Sequence, residues 1–148
     1  MPDPLRIVPR DPEHPDAVAL LTELNDALAR ITGCDGHASF HAEDVREPGA
    51  AFLVAYRDDA PVACGGFRPL DCGTAEVKRV YARERGTGLP LLLELEMLAA
   101  KSGYTRLVCE TRRVNTSAVA FYLRAGWRET EAYGPYIGRP EAICFEKH

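Results

Sequence analysis

The chain has 148 residues, 46% of them apolar and 27% charged, with a net charge of -4. That length supports one domain with a substantial core and no need of disulfide or metal staples. The acidic balance excludes a global basic field for nucleic acid or anionic membrane, so an anionic ligand has to be held by a local cluster of cations.

Five cysteines occur, Cys34, Cys64, Cys72, Cys109 and Cys144. The odd count and the absence of a C-x2-C spacing argue against a zinc site or a disulfide framework. Four sit in or beside apolar runs, which reads as buried, reduced thiols in a cytoplasmic protein. The N-terminus MPDPLRIVPRD lacks the apolar region of a signal peptide. The apolar stretch at 89–100 carries Glu94 and Glu96 and is too short to span a bilayer.

In chain order, Leu5 to Val8 is a short strand ended by Pro9. Pro15 opens a helix on which Val18, Leu21, Leu24, Leu28 and Ile31 recur at spacings of three and four. Gly33 closes it as a C-cap glycine. Thr32 to His41 is a polar loop, and His41 to Arg46 a short helix. Ala51 to Tyr56 and Val62 to Leu70 form a hairpin across the turn at 57–61. The Gly65-Gly66 pair inside it signals a bulge or a close backbone approach. A third strand runs from Ala75 to Ala82.

The pattern then changes to a helix over 89–102, with Leu91, Leu92, Leu95, Leu98 and Ala99 on one face and Gly103 at its end. Arg106 to Glu110 is a short strand. Asn115, Thr116 and Ser117 offer N-caps for a helix reaching Gly126. Arg128 to Tyr133 and Ala142 to Glu146 are strands around the loop GPYIGRP. The order β-α-α-β-β-β-α-β-α-β-β predicts a mixed α/β domain. Its central hairpins are antiparallel, and the crossover unit 75–110 is parallel.

The chemistry-bearing feature is the strand-to-helix junction Arg83-Glu84-Arg85-Gly86-Thr87-Gly88. Glycines there let the backbone approach a ligand, and a helix start offers free N–H groups and a positive dipole end to phosphate oxygens. Lys78, Arg79, Arg83 and Arg85 supply cations nearby. A Walker loop fails for want of Gly-Lys-Ser/Thr. A dinucleotide fingerprint fails because Pro90 and Leu91 stand where its continuation belongs.

From Glu76 to Gly126 the sequence resembles the GCN5-related N-acetyltransferases, in the manner of their small bacterial members. The fourth-strand segment Glu76-Val77-Lys78-Arg79-Val80-Tyr81-Ala82 precedes Arg85-Gly86-Thr87-Gly88-Leu89-Pro90. Asn115 and Ala120-Phe121-Tyr122-Leu123-Arg124-Ala125-Gly126-Trp127 match the family's downstream motif. The resemblance implies the family's acyl-CoA N-acyltransferase fold over the whole chain and transfer of acetyl from acetyl-CoA to a primary amine of a small molecule or peptide by direct attack. It allows a homodimer, and it allows a non-catalytic acyl-CoA-binding domain of the same fold.

The resemblance assigns Glu76 as general base and Tyr122 as general acid. It assigns Val80, Tyr81, Ala82, Arg85, Gly86, Thr87, Gly88, Leu89, Asn115 and Tyr122 to the cofactor. The other reading of Glu76 is an ion pair with a neighbouring Arg or Lys, and that of Tyr122 is packing beside Phe121. Glu110 is a second candidate base. Two departures from the family pattern stand out: Pro90 has no N–H to offer at the helix start, and the segment from Tyr81 to Arg85 is short. Asp35 and His37 in the first loop, and Tyr133, Tyr136 and Arg139 in the last, are leads for the acceptor side.

Overall fold

The computed structural model describes residues 4–33 and 41–148. Seven strands form one mixed sheet in the order β1-β2-β3-β4-β5-β7-β6. They are β1 (Leu5–Pro9), β2 (Ala51–Arg57), β3 (Ala60–Asp71), β4 (Thr74–Ala82), β5 (Arg106–Arg112), β6 (Arg128–Thr130) and β7 (Ala142–Lys147). Helix α1 (Pro15–Thr32) covers one face, and α2 (Gly88–Lys101) and α3 (Thr116–Arg124) lie on the other. The expected hairpins are antiparallel and the β4-α2-β5 crossover unit is parallel.

Both faces of the sheet centre are covered, which explains the unbroken apolar run AFLVAY in β2. Leu53, Ala55, Phe67, Ala75 and Val77 pack toward Leu91, Leu92 and Leu95 of α2. Phe52, Val54, Tyr56 and Cys64 pack toward Ala17 and Leu20 of α1. Leu91, Leu92 and Leu95 are wholly buried, and burial of each contributes about 2 kcal/mol. Helix α1 starts on His14, whose Nδ1 accepts from the Asp16 N–H, and stops at Gly33, with φ of 79°.

Three elements depart from the expectations. Residues 41–46 make a four-residue 3-10 turn, Ala42–Val45, rather than an α-helix; Pro48 and Gly49 follow too closely for a second turn of helix. Strand β6 stops at Thr130 instead of Tyr133 because the chain leaves the sheet there, which takes Tyr133 to a partner on β4. Of the described thiols, Cys64, Cys109 and Cys144 are buried, but Cys72 is exposed in the β3–β4 turn.

The Gly65-Gly66 signal marks a bulge. Gly66 pairs with Lys78 while Cys64 pairs with Tyr81, so β4 carries one residue more than β3 across this step. Arg79, at φ 63°, takes up the extra residue. A Cβ on Gly66 would stand 2.7 Å from the Ala51 carbonyl oxygen, and one on Gly65 3.0 Å from Val80 Cγ2. Just before the bulge, the pairing of β4 with β5 ends at Glu76 and Val108. The two strands part there, and the parting positions the site.

Candidate active site

A cleft of about 390 Å³ opens where β4 and β5 diverge. Residues 76–82 of β4 and Glu110 to Arg112 of β5 form its sides. Leu24, Ala27, Leu28 and Ile31 of α1 wall one end; Gly88, Asn115, Ser117, Phe121 and Tyr122 close the other. The cleft thus passes through the sheet from the α1 face to the α2–α3 face.

On the α1 face, Glu76 is 3% exposed. Burying a carboxylate that deeply is costly unless its oxygens are satisfied. Oε1 accepts from Arg68 Nε at 3.0 Å, and Oε2 accepts from the Tyr133 hydroxyl at 2.7 Å. Arg68 is the direct cross-strand partner of Glu76 and also lies 3.5 Å from Asp44. Lys78, two residues along β4, places Nζ 3.9 Å from Glu76 Oε1. Burial pushes the Lys78 ammonium below its ordinary range, against the pull of Glu76. The same burial, with Glu76 beside it, raises the Tyr133 phenol.

Glu110 shares this face and lines the same cleft. Its Oε2 is buried and accepts no hydrogen bond from the described residues. Burial raises its carboxyl above the ordinary carboxylate range, opposed by Arg112 and Lys78.

On the α2–α3 face, Tyr122 is 8% exposed. Its ring stacks on Phe145 at 5.8 Å and meets Trp127 edge-on at 5.3 Å. Burial, with the Cys109 thiol nearby, raises the phenol well above its ordinary range. The motif's Gly126 and Trp127 serve that placement. Gly126 turns the chain at φ 88°, and the Trp127 N–H returns to the Tyr122 carbonyl at 3.0 Å.

The helix-start loop is braced from behind. Thr87 is buried, with its hydroxyl 2.5 Å from the Glu84 carbonyl and 3.3 Å from that of Val62. Gly86, at φ 88°, stands in the open: a Cβ there would meet nothing within 4 Å among the described residues. The four nearby cations divide. Arg83 is bound to Glu23 at 2.6 Å, Arg79 donates to Asn25, and Lys78 faces Glu76. Arg85 is exposed and makes no ion pair or hydrogen bond among the described residues. Asn115 caps α3 by accepting from the Ala118 N–H at 3.3 Å, and it lines the cleft.

The structure therefore brings Glu76, Glu110, Val80, Tyr81, Ala82, Gly88, Asn115 and Tyr122 into one cleft, with Tyr136 and, through Glu76, Tyr133. Arg85, Gly86, Thr87 and Leu89 lie along the adjoining loop and helix start. Arg139 lies in a separate shallow hollow beside Arg113 and Glu129. Asp35 and His37 fall outside the described residues. Sequence reasoning missed Arg68; its signal was a position across the β3–β4 hairpin from Glu76, concealed by the bulges that shift the register.

The sequence matches the acetyltransferase (GNAT) family over residues 18–127. The chain belongs to that family. It is 28% identical to a protein of Azospirillum brasilense named "IAA acetyltransferase", over 95% of each chain. A Klebsiella pneumoniae structure classed as an acyl-CoA N-acyltransferase superposes with a TM-score of 0.78 at 26% identity, covering 97% of this chain and 96% of that one. A GNAT acetyltransferase of Elizabethkingia anophelis with acetyl-CoA bound shares the fold at a TM-score of 0.70 and 18% identity, over 96% of each chain. This GNAT protein is an acetyltransferase, and its acetyl donor is acetyl-CoA.

Proposed function

We propose that the enzyme acetylates a primary amine of a small molecule or peptide by direct attack within a ternary complex. One observation carries this reading: the cleft joins two faces with opposite equipment. Buried carboxylates, Glu76 and Glu110, stand on the α1 face, and a buried phenol, Tyr122, on the α2–α3 face.

Bound acetyl-CoA supplies a thioester carbon open to attack. The residues fit its parts. The parted strand edge at Val80 to Ala82 leaves backbone groups for an extended arm, and Asn115 and Phe121 border the same passage. Arg85 and the orphan N–H groups of Gly88 and Leu89 suit the pyrophosphate. Pro90 provides no third N–H.

An amine arriving from the α1 face meets carboxylates that take up its charge and its proton. The sulfur departs toward Tyr122. Burial keeps that phenol protonated at neutral pH, so it has a proton to give to the thiolate. The apolar rings around it exclude water, which strengthens the donation.

Thiol release from acetyl-CoA, measured over peptides, polyamines, amino sugars and amino acids, tests this reading. The expected outcome is turnover with at least one class of amine. Acetyl-CoA binding without turnover across the panel would instead favour a non-catalytic acyl-CoA-binding domain.

A further inference from the structure

Two carboxylates share the α1 side of the cleft, but their surroundings differ. Glu76 already accepts a hydrogen bond on each oxygen, from Arg68 and Tyr133. A proton arriving there would disrupt a buried ion pair. Glu110 lines the cleft and is half-buried, and its inner oxygen, Oε2, accepts no hydrogen bond from the described residues. A buried, unsatisfied carboxylate oxygen costs stability, and a carboxylate that lines a cleft without protein donors is suited to receive one from a ligand.

We propose that Glu110, two residues past the end of β4–β5 pairing, takes the proton from the acceptor ammonium, while Glu76 is a positioning residue fixed by Arg68 and Tyr133. The inference rests on the reading of the cleft as an amine acetyltransferase site. The acceptor enters as an ammonium, R–NH3+, and donates to the Glu110 carboxylate. One proton passes to that carboxylate and leaves a neutral amine. The nitrogen lone pair forms the N–C bond and the C–S bond breaks. The second proton lost by nitrogen passes to water, and the Tyr122 phenolate left by protonating the departing thiolate regains a proton from water. Glu110 releases its proton to water before the next turnover.

The groups facing Glu110 are known on each side. They are Glu76 and Lys78 of β4, Arg112 on its own strand, Cys144 opposite it on β7, and Tyr136 and Glu141 in the connection between β6 and β7. Glu76 and burial favour the protonated acid, while Lys78 and Arg112 oppose them. The result is a carboxyl lifted toward the working pH, which is what a base needs.

The test is the pH profile of kcat/KM with the fastest amine of the panel. In the wild type, a deprotonated Glu110 and a protonated amine are used together, so the profile has a plateau below the amine's own pKa. In Glu110→Gln the enzyme depends on free amine, so the plateau becomes a rise of tenfold per pH unit. The expected deficit is at least tenfold at pH 7 and shrinks as the pH nears the amine's pKa. Calorimetric affinity for acetyl-CoA stays within twofold, and the melting temperature at pH 8 equals or exceeds that of the wild type, because a buried charge has been removed.

Glu76→Gln keeps the plateau at whatever height remains. Glu110→Asp decides independently of how well the Gln variant folds: it retains a carboxylate, so it keeps the plateau at reduced height. A plateau retained in Glu110→Gln, a plateau lost in Glu110→Asp, or a tenfold-per-unit rise produced by Glu76→Gln would overturn the proposal. If the wild type binds acetyl-CoA but acetylates no amine, the underlying reading fails and takes this inference with it. If the wild type turns over and one of the three overturning profiles is found, only the inference fails.

Discussion

Strand β4 turns two different faces to the cleft. Toward α2 and α3 it presents Ala75 and Val77, packed with Cys109, Tyr122 and Phe145 in the main core. Toward α1 it presents Glu76 and Lys78, close to Arg68 and Glu110 and reached by Tyr133. Both faces are buried, so burial alone does not separate them. The apolar face holds a neutral phenol by packing. The charged face is tolerated because Arg68 and Tyr133 donate to one carboxylate and the Lys78 ammonium stands 3.9 Å from it. A proton donor needs a dry neutral setting, and a cation's receptor needs fixed charge, so the alternation of one strand supplies both within one cleft.

The largest expected effect breaks the charged face. Arg68→Met removes the main partner of Glu76, whose side chain is 3% exposed. Removing one member of a buried ion pair costs about 3 kcal/mol. Urea denaturation should show a loss of that order, and Tyr133→Phe a smaller one. An unchanged midpoint for Arg68→Met would mean that Glu76 is solvated or protonated rather than paired.

The next effect sharpens the apolar face. Tyr122→Phe keeps the ring on Phe145 and Trp127 but removes the hydroxyl. Turnover should fall at least tenfold, or about 1.4 kcal/mol of barrier, with little change in acetyl-CoA affinity. Steady-state kinetics with calorimetry checks it. Unchanged turnover would confine Tyr122 to packing.

How far these features were legible depends on their distance along the chain. The α2 stripe was readable because its leucines repeat at helical spacing and touch one surface. The Gly65-Gly66 pair announced the bulge, since only a missing Cβ fits there. The motif from Ala120 to Trp127 marked Tyr122, and the structure gives its glycine and tryptophan a reason. The partners of Glu76 were hidden. Arg68 lies across a hairpin with two register shifts, and Tyr133 arrives from 57 residues away. The unsatisfied oxygen of Glu110 depends on how β7 and the loop before it close over β5, which no local pattern encodes. The cation cluster looked uniform in sequence, but strand alternation and the bulge send its members to different partners.

Arg85 tests that last point. It is the exposed cation beside the helix start, while Arg83 is held by Glu23. Arg85→Ala should weaken CoA binding roughly fivefold, as for loss of one charged hydrogen bond, and leave a phosphate-free pantetheine fragment unaffected. Equal losses for both ligands would move the pyrophosphate away from Arg85.

The smallest effect concerns Pro90. It occupies the third position of α2, where the N–H of any residue lacks an intrahelical partner. Proline therefore costs the helix nothing there, but it removes one donor from the surface offered to phosphate. Pro90→Ala restores that donor without disturbing the bond from the Leu91 N–H to the Thr87 carbonyl at 3.3 Å. A net hydrogen bond of about 0.5–1 kcal/mol corresponds to two- to fivefold tighter CoA binding. The freed backbone lowers stability by a similar amount through the unfolded chain, so affinity and melting temperature should move in opposite directions. Calorimetry and thermal melts on one preparation read both. A lower melting temperature with unchanged affinity would mean that the pyrophosphate does not reach the third residue of α2.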